Sequence, residues 1–139
     1  MRNVASTLRV RTSGSGLLEI TSEVRARLER QTVTTGLLTL FCRHTSASLL
    51  IQENAARAVR RDLEKYFAAL APEDPSRYEH NDEGPDDMPA HLRTALTGVQ
   101  LSIPVVEGTL SLGTWQGIYL FEHRRSPHQR EVVLHLIGE

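Results

Sequence analysis

The chain lacks most of the devices that would brace it from within or draw a charged partner from outside. A single cysteine, Cys42, excludes an internal disulfide and any multi-cysteine zinc site, and it suits a reducing cytoplasm. Lys65 is the only lysine, so there is no glycine-rich phosphate loop with its lysine. The 16 basic and 17 acidic residues nearly cancel, and no global field recruits nucleic acid. The longest apolar runs, Thr35–Cys42 and Gly117–Phe121, fall far short of a membrane span. Met1–Ser6 carries a charge but no apolar stretch of the kind a secretory signal needs. The expectation is a cytoplasmic protein that uses neither nucleic acid nor membrane as a partner.

What is present is ordinary in amount and unusual in arrangement. With 139 residues, 40% hydrophobic and 24% charged, the chain reads as one domain, residues 1–139, able to bury a core unaided. Strands are expected over Val4–Thr12 and Leu17–Ile20, then a helix over Glu23–Gln31 capped by Thr21 or Ser22. Thr34–His44 is a strong strand, after which Ser46–Gln52 continues extended or turns sharply. Asn54 is placed to cap a helix running to Leu70. Ala71–Asp87 reads as a long polar loop, and Pro89–Leu96 as a shorter helix ended by Gly98.

The remainder reads as strands: Val99–Val106, Thr109–Leu112, Gly117–His123 and Glu131–Ile137, with a tight turn at Glu107-Gly108. The strand around Ile118–Phe121 is apolar on both faces and needs cover on two sides. Two or three short helices can barely supply that cover, which favours a homo-oligomer.

Polar side chains fall at element ends, where they can converge on a pocket. Alternation along its strand puts His44 in register with Leu38, Leu40 and Cys42, either as a ligand or as a strand-end histidine bonded to backbone. Cys42 and His44, two residues apart, stand ~6–7 Å from each other, too far for a nucleophilic pair. His80 and His91 flank an acidic stretch containing Asp82, Glu83, Asp86 and Asp87. Three imidazoles from separate elements can hold a divalent cation with an open position, and nearby carboxylates can complete or orient the shell. The alternative is a solvated acidic loop with incidental histidines.

Glu53 and Asn54 can be a simple helix start, or their free amides can take a phosphate. In Gly113–Gly117, the lone Trp115 is either a core residue at a strand bend or is aimed, with Gln116, at a site by a bulge. Glu122 shares strand parity with Gln116. His123, Arg124, Arg125, His128 and Arg130 form a basic tip that is either solvated or holds an anion, with Arg130 singled out. A histidine-bound cation near Glu53 or Asp82 would also suit water activation, hence a metal-dependent hydrolase.

The ordered segments His44–Leu49, Glu53-Asn54-Ala55, Asp62-Leu63, Tyr78–His91 and Leu112–Tyr119 closely resemble the YjbQ-like family, whose members are described as secondary thiamine-phosphate synthases. The resemblance covers nearly the whole chain. It implies a compact α+β domain, consistent with mixed or antiparallel sheet layers and two to three short helices, assembling as a homotrimer. It implies a pocket holding His44, His80 and His91, with a divalent metal (zinc or magnesium) as cofactor and a phosphorylated small molecule as ligand. The activity it implies joins a pyrimidine pyrophosphate to a thiazole phosphate.

On that reading the catalytic candidates are His44, Glu53, Asp82, Gln116 and Glu122. The substrate-binding candidates are Thr45, Asn54, Asn81, Trp115 and Arg130, with Trp115 stacking the pyrimidine and Gln116 bonding its ring nitrogens or amino group. The chain departs from the family pattern at Asp87, where Asn is expected, and at His123, where an aspartate commonly follows the glutamate. A non-catalytic metal- or metabolite-binding trimer is the competing class.

Overall fold

A computed structural model describes all residues, 1–139. Its strands are β1 Arg2–Thr12, β2 Gly16–Glu19, β3 Gly36–Cys42, β4 Ala47–Glu53, β5 Gln100–Val106, β6 Thr109–Leu110, β7 Gln116–Glu122 and β8 His128–Gly138. Its helices are α1 Thr21–Glu29, α2 Arg57–Leu70 and α3 Asp87–Thr97, with a short 3-10 turn at Pro75–Arg77. Every strand pairing is antiparallel. The expected single α+β domain is what forms. No helix is long and apolar enough to cross a membrane.

Two sheets face each other. The larger has the order β1-β8-β3-β5-β6 and the smaller β2-β7-β4. The chain changes sheet between β3 and β4, so the run after His44 turns sharply. Leu38, Leu40 and Cys42 alternate inward with Ile103, Val105, Val132, Leu134 and Leu136, and meet Ala47, Leu49, Ile118 and Leu120 of the small sheet. Val24 and Leu28 of α1 join that core, as the spacing predicts. Burying side chains of this size is worth about 1.5–3 kcal/mol each, which is what holds the sheets together.

The central strand of the small sheet, β7, is buried on both faces within one chain. Tyr119 and Phe121 point away from the core and are themselves buried, with Phe67 of α2 edge-on to Phe121 at 5.6 Å. The chain thus covers the strand that was expected to need a neighbour. Uncovered apolar side chains gather on the outer face of the large sheet, where Leu37, Phe41, Val106 and Ile137 are exposed, and others are Tyr66 and Leu70 of α2, Leu18 and Leu96.

Several local expectations are displaced. Helix α1 begins at Thr21, and neither Thr21 nor Ser22 caps it, because Thr21 Oγ1 accepts from Ile118 N–H. Helix α2 begins at Arg57 after Ala56, and Asn54 donates instead to Glu19. Helix α3 begins two residues earlier than expected, at Asp87, and ends at Gly98 with φ +92°.

Candidate metal centre and its cavity

The earlier start of α3 puts Asp87 and His91 four residues apart on one helix, and so on the same face. His80, in the loop that leads into α3, folds back onto that face. His80 Nε2 lies 2.8 Å from Asp87 Oδ2, and His91 Nε2 lies 3.0 Å from the same oxygen. These three donor atoms all lie within 4.8 Å of one another. Four donors around a zinc ion at 2.0–2.2 Å would stand ~3.4 Å apart, so a small contraction or opening of this cluster fits one cation.

Proton counting sharpens the point. His91 Nδ1 is 2.9 Å from the carbonyl oxygen of Thr45, which can only accept, so that nitrogen carries a proton. Nε2 then faces a carboxylate oxygen, and either a second proton or a cation must stand between them. His80 repeats the arrangement, with Nδ1 3.3 Å from Asp82 Oδ1. Its bond to Asp87, and then the charges of Asp82, Asp87 and Glu83, raise the His80 pKa above the ordinary value. Burial pushes the Asp87 carboxyl upward, yet hydrogen bonding from His80 and then Glu83, with Arg124 beside it, outweighs burial and holds it below the usual range. The geometry suits positive charge, and a carbonyl that fixes the ring tautomer is the outer support that metal-ligating histidines use.

His44 does not join this cluster. Its Nε2 accepts from Glu131 N–H at 2.8 Å, leaving Nδ1 with the proton of the neutral ring. Burial, then Arg130, lowers its pKa and keeps the ring neutral. Yet His44 and His91 both line an open cavity of about 930 Å³, with Thr45, Ser46, Phe41 and Arg130. Two of the three histidines therefore share a pocket, and His91 joins that pocket to the cation cluster.

Arg130 is not a free anion-binding residue. It is buried and pairs with Glu122 through Nε at 2.8 Å and through Nη2, which also donates to Ser46 Oγ at 3.0 Å. Glu122 is buried too. Burial acts to raise its pKa, but Arg130, Thr12 and the Arg124 N–H more than offset this and leave it lowered. The basic tip is therefore divided, with His123 and Arg130 buried, Arg124 turned onto Asp86 and Asp87, and Arg125 exposed.

The remaining candidates sit elsewhere. Glu53 pairs with Gln116 at one end of the small sheet, whereas Ala47 and Glu122 pair at the other. Six residues of strand separate those ends, roughly 20 Å. Glu53 accepts from the Ala55 and Ala56 amides, so the two N–H groups just before α2 are already used. Gln116 Oε1 accepts from Gly113 N–H and closes the turn. Trp115 is 63% exposed, not a core residue. Asn81 donates to the carbonyls of Pro75 and Tyr78 and shapes the loop, and Asp82 is exposed beside His80.

In the sequence Asp87 stood out as a loop acid and as a departure from the family pattern, not as a ligand. The Asp-x-x-x-His spacing was the available signal, hidden by starting the helix at Pro89. Ser48, whose Oγ lies 2.9 Å from His123 Nε2, gave no signal at all.

Residues 6–139 match the family model described as UPF0047 protein YjbQ-like. A UPF0047 protein of Synechocystis is 55% identical over 130 residues, covering 94% of this chain and 88% of that protein. The UPF0047 protein YjbQ of Salmonella typhimurium is 47% identical over 121 residues, 86% of this chain and 87% of its own. Among solved structures, a conserved hypothetical protein of Thermus thermophilus superposes with TM-score 0.84 at 39% identity, over 95% of this chain and 99% of its own. A YbjQ-like protein of unknown function from Sulfolobus solfataricus shares the fold, with TM-score 0.87 at 24% identity over 99% of this chain and 100% of its own.

Proposed function

We propose that this chain, which belongs to the YjbQ-like UPF0047 family, holds a divalent cation between His80, Asp87 and His91 and works on phosphorylated small molecules in the adjoining cavity. The carrying observation is the pair of Nε2 atoms that meet one oxygen of Asp87 while the Thr45 carbonyl occupies the other nitrogen of His91. Two imidazoles and one carboxylate favour zinc over magnesium, which prefers oxygen ligands alone. The reaction proposed is the family resemblance's own, transfer of a pyrimidine methylene from pyrophosphate to the nitrogen of a thiazole phosphate. When bound, a cation there neutralises charge on a departing pyrophosphate.

The residues of the chain divide the rest of the work. His44, neutral and lining the cavity, donates from Nδ1 to a substrate oxygen. Arg130 and Glu122 hold Ser46 in place and thereby shape the wall beside it. Within one chain Glu53, Asn54, Trp115 and Gln116 take no part, because they lie at the far end of the small sheet.

The second reading, a metal- or metabolite-binding protein without turnover, is favoured by one observation. The two anion-holding elements expected from the sequence, Arg130 and the amides before α2, are already satisfied internally.

Elemental analysis of the purified protein tests the centre first. His80→Ala, Asp87→Ala and His91→Ala should each lose the metal, while His44→Ala keeps it. Unchanged metal in the first three removes the basis of the reading. The two thiamine precursors and a panel of phosphate esters then separate transfer, hydrolysis and simple binding.

A further inference from the structure

We infer that Arg124 is a positioning residue for this centre, fixing which oxygen of Asp87 faces the two histidines. The inference rests on the cation reading above. The Asp87 side chain is only 3% exposed, and its Oδ1 accepts from Arg124 Nη1 at 2.7 Å. Oδ2 is then the one oxygen left for His80 and His91, and both converge on it.

The same guanidinium ties down the loop that carries these residues. Nε donates to Asp86 Oδ2 at 3.1 Å, and Nη2 donates to the Glu83 carbonyl at 3.0 Å. Asp86 Oδ2 also accepts from the Arg125 N–H at 2.9 Å. Arg124 is itself aimed from behind, since its backbone N–H donates to the buried Glu122 at 3.2 Å. The rigid Glu122–Arg130 pair is thus connected to the metal-facing carboxylate through a single side chain. A planar fork can serve Asp87, Asp86 and Glu83 at once, which a lysine ammonium cannot.

Two effects of Arg124 can be separated. It orients Asp87 directly, and it tethers the loop through Asp86 and Glu83. Hydrogen-bonding partners of metal-ligating carboxylates typically contribute 10–100-fold in metal affinity.

Zinc affinity, measured by competition with a chromophoric chelator, tests this on the wild type, Arg124→Gln, Asp86→Asn, Asp87→Asn and the Arg124→Gln/Asp87→Asn double variant, with folding checked by circular dichroism. Arg124→Gln should bind zinc about 10–100-fold more weakly. Asp86→Asn, which loosens the tether but spares the bond to Asp87, should bind close to wild type. In the Asp87→Asn background the Arg124 change should cost nothing more. If Arg124→Gln does not fold, Arg124→Lys is read in its place with the same expected direction. Wild-type affinity in the Arg124 variant, or an equal loss in Asp86→Asn, overturns this inference and leaves the centre standing. A wild-type protein that binds no zinc overturns the centre and this inference with it.

Discussion

His123 is 1% exposed, its Nε2 lies against Ser48 Oγ, and its Nδ1 has no partner. Burial, with Arg93 adding to it, pushes its pKa from the ordinary 6.5 down to about 3. Between those values the unfolded chain takes up a proton that the folded chain refuses. The stability that follows from a neutral His123 is complete above pH 6.5 and is lost as pH falls toward 3. Between pH 7 and pH 5 this amounts to about 2 kcal/mol. Urea unfolding should show that loss in the wild type and a smaller one in His123→Gln, since His44 and His80 titrate alike in both. Equal losses would mean that His123 is not held neutral. Parity along β7 puts Glu122 and Gln116 on one face but at opposite ends, and it could not reveal that Arg130, on the other sheet, would neutralise Glu122 across the core.

At the scale of elements, α3 does most to build the site. Its first residue supplies the carboxylate, its second turn supplies His91, and its last residue hands the chain to Gly98. Gly98 has φ +92° and ψ 167°, a region that essentially only glycine occupies, and nothing crowds its missing side chain. Gly98→Ala should therefore cost about 1–3 kcal/mol through the backbone alone, read as a lowered thermal midpoint with the metal site unchanged. A midpoint equal to wild type would mean that the turn relaxes. The end of α3 was legible because glycine marks such stops. Its start was not, because Asp86, Asp87 and Pro89 are all acceptable in a first turn, and only tertiary bonding selected Asp87 for the histidines.

For the whole molecule, the outer face of the large sheet is one apolar surface left uncovered. Leu37, Phe41 and Ile137 sit on adjacent strands there, in register through the Leu37–Ile137 pairing. The homotrimer implied by resemblance would have its natural contact on this face, since an apolar patch of neighbouring large side chains is costly to leave in water. Light scattering should then give roughly three times the 15.6 kDa chain mass, falling to one chain mass in Leu37→Asp/Phe41→Asp. A wild-type mass of one chain would end the assembly proposal without touching the cation centre.

The sequence by itself determined the α+β class, most strands, the buried stripe of α1 and the three-histidine inventory, because each rests on short-range periodicity or on a turn residue. It also carried the segments that identify the family. Which polar groups meet was decided only by the tertiary structure. His44 turned to a backbone amide, Asp87 joined His80 and His91, and Glu53 and Gln116 went to the far end of a sheet. The physical reason is that β3 and β4 part into different sheets, and a change of sheet redirects every side chain beyond it in a way no local pattern records.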